Sequence, residues 1–247
     1  MTFHSSYSVL GNILFSNNPI LPVESALLTI YNVLVEQKEL NRYITLFKKH
    51  SKVLTPKKTD IQPSHSDLIS GFKALLFDVY GTLFISGSGD IGIAKEKVST
   101  EVFKTVLEEC GITLLNPLPK DTPRMYFALI EEEHLKMKRK GIDYPEVRIE
   151  DIWMQFLVQC KTLKRISEVP TLKTAREISV LFETMINPVW PMPGSLALLL
   201  HCHEQCIPIG IVSNAQFFTP LLFLSLYGKT LQDLGFPQEL LFWSYEE

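Results

Sequence analysis

The stretch FDVYGTLF, residues 77–84, puts a bare carboxylate, Asp78, directly after the apolar run FKALLF (72–77). A carboxylate at the place where a buried strand would stop is costly unless something uses it. An aspartate there can attack phosphorus or an activated carbon and form a covalent ester, which water then opens. Gly81, with Thr82 beside it, lets backbone N–H groups approach the reacting group and hold developing negative charge. A second apolar run, IPIGIVSN (207–214), ends on Ser213-Asn214. A hydroxyl at that end can hydrogen-bond the same oxygens. The short motif alone leaves an alternative open, since aspartate also caps turns.

The elements that must carry these residues follow from periodicity. FKALLF reads as a short strand buried on both faces, IPIGIVSN as a second strand, and LLFWSY (240–245) as a third. Helical spacing runs through 20–50, with Leu27, Ile30, Tyr31 and Leu34 at steps of three and four. It recurs through 95–110, 123–140, 149–162 and 171–186, and the Pro-Gly-opened segment 193–206 and TPLLFLSLYG also read as helix. Residues 51–70 are polar with two prolines and read as a linker. Strands alternating with helices predict a parallel sheet, whose sites lie at the carboxyl ends of the strands. Asp78 and Ser213-Asn214 each occupy such an end and would share one rim.

Composition narrows the classes. The 247 residues carry 24 Lys plus Arg against 27 Asp plus Glu, so nothing in the net charge of −3 points to nucleic acid or to an anionic membrane. The longest apolar runs, SLALLL and TPLLFLSL, are too short to span a bilayer, and no membrane partner is expected. The segment MTFHSSYSVLGNILFSNN lacks the basic start and continuous apolar stretch of a signal peptide. Cys110, Cys160, Cys202 and Cys206 form no small-secreted-fold framework, so reduced thiols and a cytoplasmic setting are expected.

FKALLFDVYGTLF resembles the first motif of the haloacid dehalogenase-like superfamily, an apolar strand followed by D-x-x-G-T-L. WPMPGSLALLLHCHEQCIPIGIVSNAQ is similar to its second-motif region. The resemblance spans roughly residues 72–247. It implies an α/β fold: a Rossmann-like parallel sheet with an inserted α-helical cap. Residues 71–84 and 191–247 would form a partial core and 85–190 the cap, with 1–70 an N-terminal helical extension and linker. It implies Asp78 as nucleophile and Ser213 as the second-motif hydroxyl. Gly81, Thr82 and Asn214 would be supporting groups around a small anionic substrate, a phosphorylated or halogenated organic acid.

Two departures bear on the chemistry. The phosphatases of the family hold an acid two residues after the nucleophile, where this chain has Tyr80. Losing such an acid costs about 10²–10⁴ in rate when the leaving group needs a proton. The dehalogenases carry tyrosine there, because a halide leaves as a stable anion. Tyr80 therefore tilts the reading toward dehalogenation. Mg2+, with Asp78 as a ligand, is expected only if the chain acts as a phosphatase, and no cofactor if it acts as a dehalogenase. The family's third-motif Lys and fourth-motif acid normally follow the third strand, and the sequence ends at LLFWSYEE. Lys229 is a poor replacement, lying between the second and third strands. The expected sheet is thus incomplete at its C-terminal side, with FKALLF an apolar edge open to self-association. The competing reading is a catalytically inactive, truncated chain or an interaction protein.

Other clusters weigh less. HCHEQC (201–206) offers metal-binding residue types in a spacing that fits no common finger; packed cysteines and exposed histidines are the ordinary reading. EEEHLKMKRKG (131–141) is acidic then basic, which suits a solvated helix. In IDYPEVRIEDIW (142–153), Arg148 can grip a carboxylate or phosphate, with Tyr144 and Trp153 nearby. A helix start with a packing Trp explains the same residues. The role of residues 1–70 is a packing appendage or a partner-binding helix.

Overall fold

The computed structural model describes residues 23–58, 72–87 and 98–246. The segment MTFHSSYSVLGNILFSNN, most of the linker reading and the expected helix start at 95–97 lie outside them. The chain divides into two compact units, Met1–Tyr43 and Ile44–Glu247. The described part of the first unit is helical, the opening stretch of α1 (Val23–His50), with Gln37 Nε2 donating to Asn41 Oδ1 one turn on. The unit boundary falls inside this helix.

Among its described residues the second unit holds a three-stranded sheet and five further α-helices. The strands are β1 (Leu75–Phe77), β4 (Ile209–Ser213) and β5 (Leu241–Trp243), in the order β1-β4-β5 and all parallel. The register pairs Phe77 with Ile211 and Ser213 with Trp243. Among the described residues β1 is therefore an edge strand. Ile209, Ile211, Ser213 and Trp243 point to a buried face. The opposite face differs from the expectation that both sides are covered: Leu76, Val212 and Phe242 are each about half exposed. A continuous apolar run does not reveal which face finds a partner. Gly210 sits between these residues because a Cβ there would meet the Leu240 carbonyl oxygen at 2.6 Å and Leu76 Cδ2 at 2.7 Å. No larger residue lets β5 approach β4 so closely.

A second, two-stranded sheet is absent from the sequence reading. β2 (Phe84–Ser86) and β3 (Val189–Pro191) pair antiparallel, with Ile85 opposite Trp190. Gly87 N–H donating to the Pro188 carbonyl and Ser86 Oγ donating to Asn187 Oδ1 extend the pairing. Pro191 is tolerated because a two-stranded ribbon leaves outward N–H positions unpaired.

The described residues between β2 and β3 form four helices: α2 (Thr100–Glu109), α3 (Thr122–Arg139), α4 (Ile149–Thr162) and α5 (Leu172–Ile186). Their apolar stripes meet in an aromatic cluster. Phe103 of α2, fully buried, has ring centroids of Phe182, Tyr126, Phe156 and Trp153 at 5.1, 5.4, 5.5 and 5.6 Å. Such pairs contribute about 0.5–1.5 kcal/mol each beyond their buried area. Thr171 caps α5, its hydroxyl accepting from Thr174 N–H. The last helix, α6 (Ser195–Glu204), precedes β4. The segment expected as a further helix begins as one turn and becomes a π-helix over Phe223–Tyr227. Tyr227 uses that turn to send its hydroxyl to the Leu83 carbonyl at 2.8 Å. No described helix is long and apolar enough to cross a membrane.

Candidate active site

β1 and β4 are parallel neighbours, so their carboxyl ends lie side by side, and this brings Asp78 to Ser213. Ser213 Oγ donates to Asp78 Oδ1 at 2.9 Å across 135 residues of sequence. Asp78 is exposed, whereas Ser213 is buried at 5% exposure. The hydroxyl is thus set by the sheet and the carboxylate faces solvent. Val79, fully buried, anchors the turn that follows. The N–H groups of Leu83 and Phe84 both donate to the Val79 carbonyl at 3.0 Å, and Gly81 N–H donates to the Phe84 carbonyl at 2.7 Å. Gly81 takes φ +87°, with open space where a Cβ would lie. Glycine is needed there for its backbone conformation. Thr82 and Asn214 are exposed at the same rim.

Tyr80 bonds neither Asp78 nor Ser213. Its hydroxyl hydrogen-bonds Thr219 Oγ1 at 3.0 Å, and Thr219 is fully buried. Burial, then the charge of Glu183, push the Tyr80 hydroxyl well above its ordinary range; the Thr219 bond opposes them, and the Asp78 charge adds a smaller push upward. The proton stays on this oxygen throughout ordinary pH, and the hydroxyl shares a hydrogen bond with the buried Thr219. Position 80 is therefore poorly suited to protonating a leaving group.

Arg148 stands at the N-cap of α4, about half exposed. Its Nη2 donates to Glu150 Oε1 at 3.1 Å and its Nε lies 3.7 Å from Asp151 Oδ2. Among the described residues no hydrogen bond joins it to Asp78 or Ser213, and no Lys or Arg ion-pairs with Asp78. Lys229 lies in the loop before β5, where its charge helps hold the Asp233 carboxyl low, after the larger effect of the Thr230 backbone N–H. Tyr144 is exposed, while Trp153 belongs to the aromatic cluster.

Three residues of the rim escaped the sequence reading. Ser244, directly after β5, accepts from Ala215 N–H at 2.9 Å and donates to the Ala215 carbonyl at 3.3 Å, tying the third strand end to the loop after Ser213. Thr219 accepts from Gln216 N–H at 3.1 Å while meeting Tyr80. Gln216 reaches the segment before α4, with Ile149 N–H donating to its Oε1 at 3.0 Å. The only sequence signal for any of them is position just past a strand end, which suits Ser244 alone.

Asp78 supplies a single carboxylate at the rim, and among the described residues no group of three His, Cys, Asp or Glu side chains stands together to hold an ion. Were Mg2+ to bind here, Asp78 would supply its carboxylate ligand, with waters and a substrate phosphate filling the other positions. In HCHEQC, Cys202 is buried, Cys206 is exposed just past the end of α6, and both histidines are exposed. Comparison of the chain with protein-family models, curated proteins and solved structures gives no match.

Proposed function

We propose that the chain is a haloacid dehalogenase-like hydrolase that works through a covalent intermediate on Asp78, with a small halogenated or phosphorylated organic acid as substrate. The observation that carries this reading is the 2.9 Å hydrogen bond from Ser213 Oγ to Asp78 Oδ1, made between adjacent parallel strand ends with the carboxylate open to solvent. One Asp78 oxygen attacks the substrate carbon, the carbon–halogen bond breaks, and the halide departs with its electron pair. Water then opens the ester, returning the carboxylate, releasing the hydroxy acid and giving one proton to solvent. Ser213 orients the carboxylate, and exposed Thr82 offers its hydroxyl to the substrate's charge, on a turn held by the Gly81 N–H bond to the Phe84 carbonyl. Tyr80, held on Thr219, favours a leaving group that needs no proton over an alkyl phosphate. In this reading the four helices between β2 and β3 are the cap, and the four free thiols suit the cytoplasm.

One observation favours a second reading, a catalytically inactive chain that binds without turning over: no described cation pairs with Asp78 to hold an anion beside it. Hydrolysis of 2-chloropropionate, and of p-nitrophenyl phosphate with and without Mg2+, separates the two. Chloride release by the wild type that falls at least about 10³-fold in Asp78→Asn, which keeps the Ser213 hydrogen bond and the melting temperature, is the expected result. Equal turnover by both proteins, or none by a folded wild type on any substrate, refutes the hydrolase reading.

A further inference from the structure

We propose that Gln216 is a positioning residue, a latch that fixes the Arg148 segment of the helical insert to the rim carrying Ser213 and so aims Arg148 at an anionic substrate. The aiming rests on the hydrolase reading above; the latch does not. Gln216 lies three residues beyond Ser213, in the loop that Ser244 ties to the end of β5. Its side-chain amide makes two bonds to one short segment of the insert. Gln216 Nε2 donates to the Val147 carbonyl and Ile149 N–H donates to Gln216 Oε1, both at 3.0 Å and both across nearly seventy residues of sequence. These two backbone groups flank Arg148, whose backbone is extended at φ −78°, ψ 108°. They are the groups that a neighbouring strand would take, and a glutamine side chain takes them instead. Only one orientation of the amide satisfies both, because an N–H must face the carbonyl and the oxygen must face the N–H. Asparagine is one methylene shorter, and no charged side chain offers both a donor and an acceptor at neutral pH.

The backbone of Gln216 is fixed in turn. Its N–H donates to Thr219 Oγ1, the atom that also holds Tyr80. The turn after β1, the loop after β4 and the start of α4 thus converge on the bonded pair Gln216 and Thr219. Arg148 has five N–H donors. Nη2 is engaged by Glu150 and Nε faces Asp151, which leaves Nη1 for a ligand. Glu150 is itself buried and also lies 3.8 Å from Arg176 Nη2, so the arrangement is anchored from within the insert.

The test uses the full chain with three variants: Gln216→Met, which keeps the side-chain length without the bonds; Gln216→Glu; and Arg148→Met. In Gln216→Met, amide exchange at Ile149 should accelerate about tenfold or more while the core amides of β4 stay at their wild-type rates. KM for 2-chloropropionate should rise about tenfold at unchanged kcat, the signature of lost ground-state positioning. Arg148→Met should raise KM alike, and the double variant should add nothing. Gln216→Glu should match Gln216→Met at pH 8, where a carboxylate faces the Val147 carbonyl, and should return toward wild type near pH 5, where its protonated form again donates. Unchanged Ile149 exchange in Gln216→Met overturns the latch, whatever the activity. Accelerated exchange with wild-type KM and kcat overturns the positioning role. A folded wild type that turns over no substrate, with Ile149 exchange still accelerated in the variant, sinks the hydrolase reading and keeps the latch.

Discussion

Replacing Tyr80 with Phe removes one oxygen and separates two accounts of that side chain. The hydroxyl makes one hydrogen bond, 3.0 Å to Thr219 Oγ1, in partly buried surroundings. Thr219 is fully buried and keeps its bond from Gln216 N–H, so the variant leaves one hydroxyl half-satisfied and strands no charge. The cost of such a loss is about 1.5 kcal/mol. For a chain of this size that lowers Tm by about 3–6 °C. If Tyr80 delivered a proton to the leaving group, its removal would instead cost about 10²–10⁴ in kcat. The hydroxyl is pushed well above its ordinary range by burial and by the Glu183 charge, and it is aimed at Thr219. The expected outcome is therefore a lower Tm with kcat within about threefold of wild type. Differential scanning calorimetry and initial rates on the substrate identified by the panel above measure both. A fall of a hundredfold or more in kcat, with Tm unchanged, would refute the reasoning outright.

Two further outcomes are expected. Burial raises the Glu183 carboxyl above its ordinary range, with the Asn187 Nδ2 bond opposing. A raised folded-state value contributes stability that is present below the ordinary glutamate range and lost as pH climbs through the folded value. Glu183→Gln, which can still accept from Asn187, should therefore melt above wild type at pH 8, with the gap closing toward pH 4; a gap that widens on acidification contradicts the assignment. Burial also pushes the Cys160 thiol up to about 11, with Arg165 opposing, whereas Cys206 is exposed. A disulfide reagent should label Cys206 in the native protein and reach Cys160 only on unfolding, and early labelling of Cys160 would show that the α4 packing described above is wrong.

The parts of this fold legible in the sequence are those set by local pattern. Helical spacing located α2 to α5 because each buries its own apolar stripe. The apolar runs ending at Asp78 and Ser213 marked two strand ends, which the structure joins by a hydrogen bond. The β2–β3 ribbon was hidden because each strand has three residues and the second is set among three prolines. The partner of Tyr80 lies 139 residues away, and no local pattern points to a buried Thr219. Gln216 has the same difficulty, since its function depends on two backbone groups, and backbone groups have no sequence. LLFWSY read as one strand through residue 245, whereas β5 ends at Trp243 and frees Ser244 to bind Ala215.

The ribbon also bears on the order in which the chain assembles. Pairing Leu75 with Ile209 from an unstructured chain closes a loop of roughly 130 residues, the kind of long-range contact that slows folding. The four intervening helices make mostly neighbouring contacts and can gather around Phe103 first. Once Ile85 meets Trp190, only about thirty unstructured residues separate β1 from β4, roughly two halvings of the loop and about 1.2 kcal/mol less closure entropy. Pulse-labelled amide exchange should then find α4 and α5 protected before β4. Asp78 and Ser213 would meet last, on a scaffold already closed by a pairing three residues long.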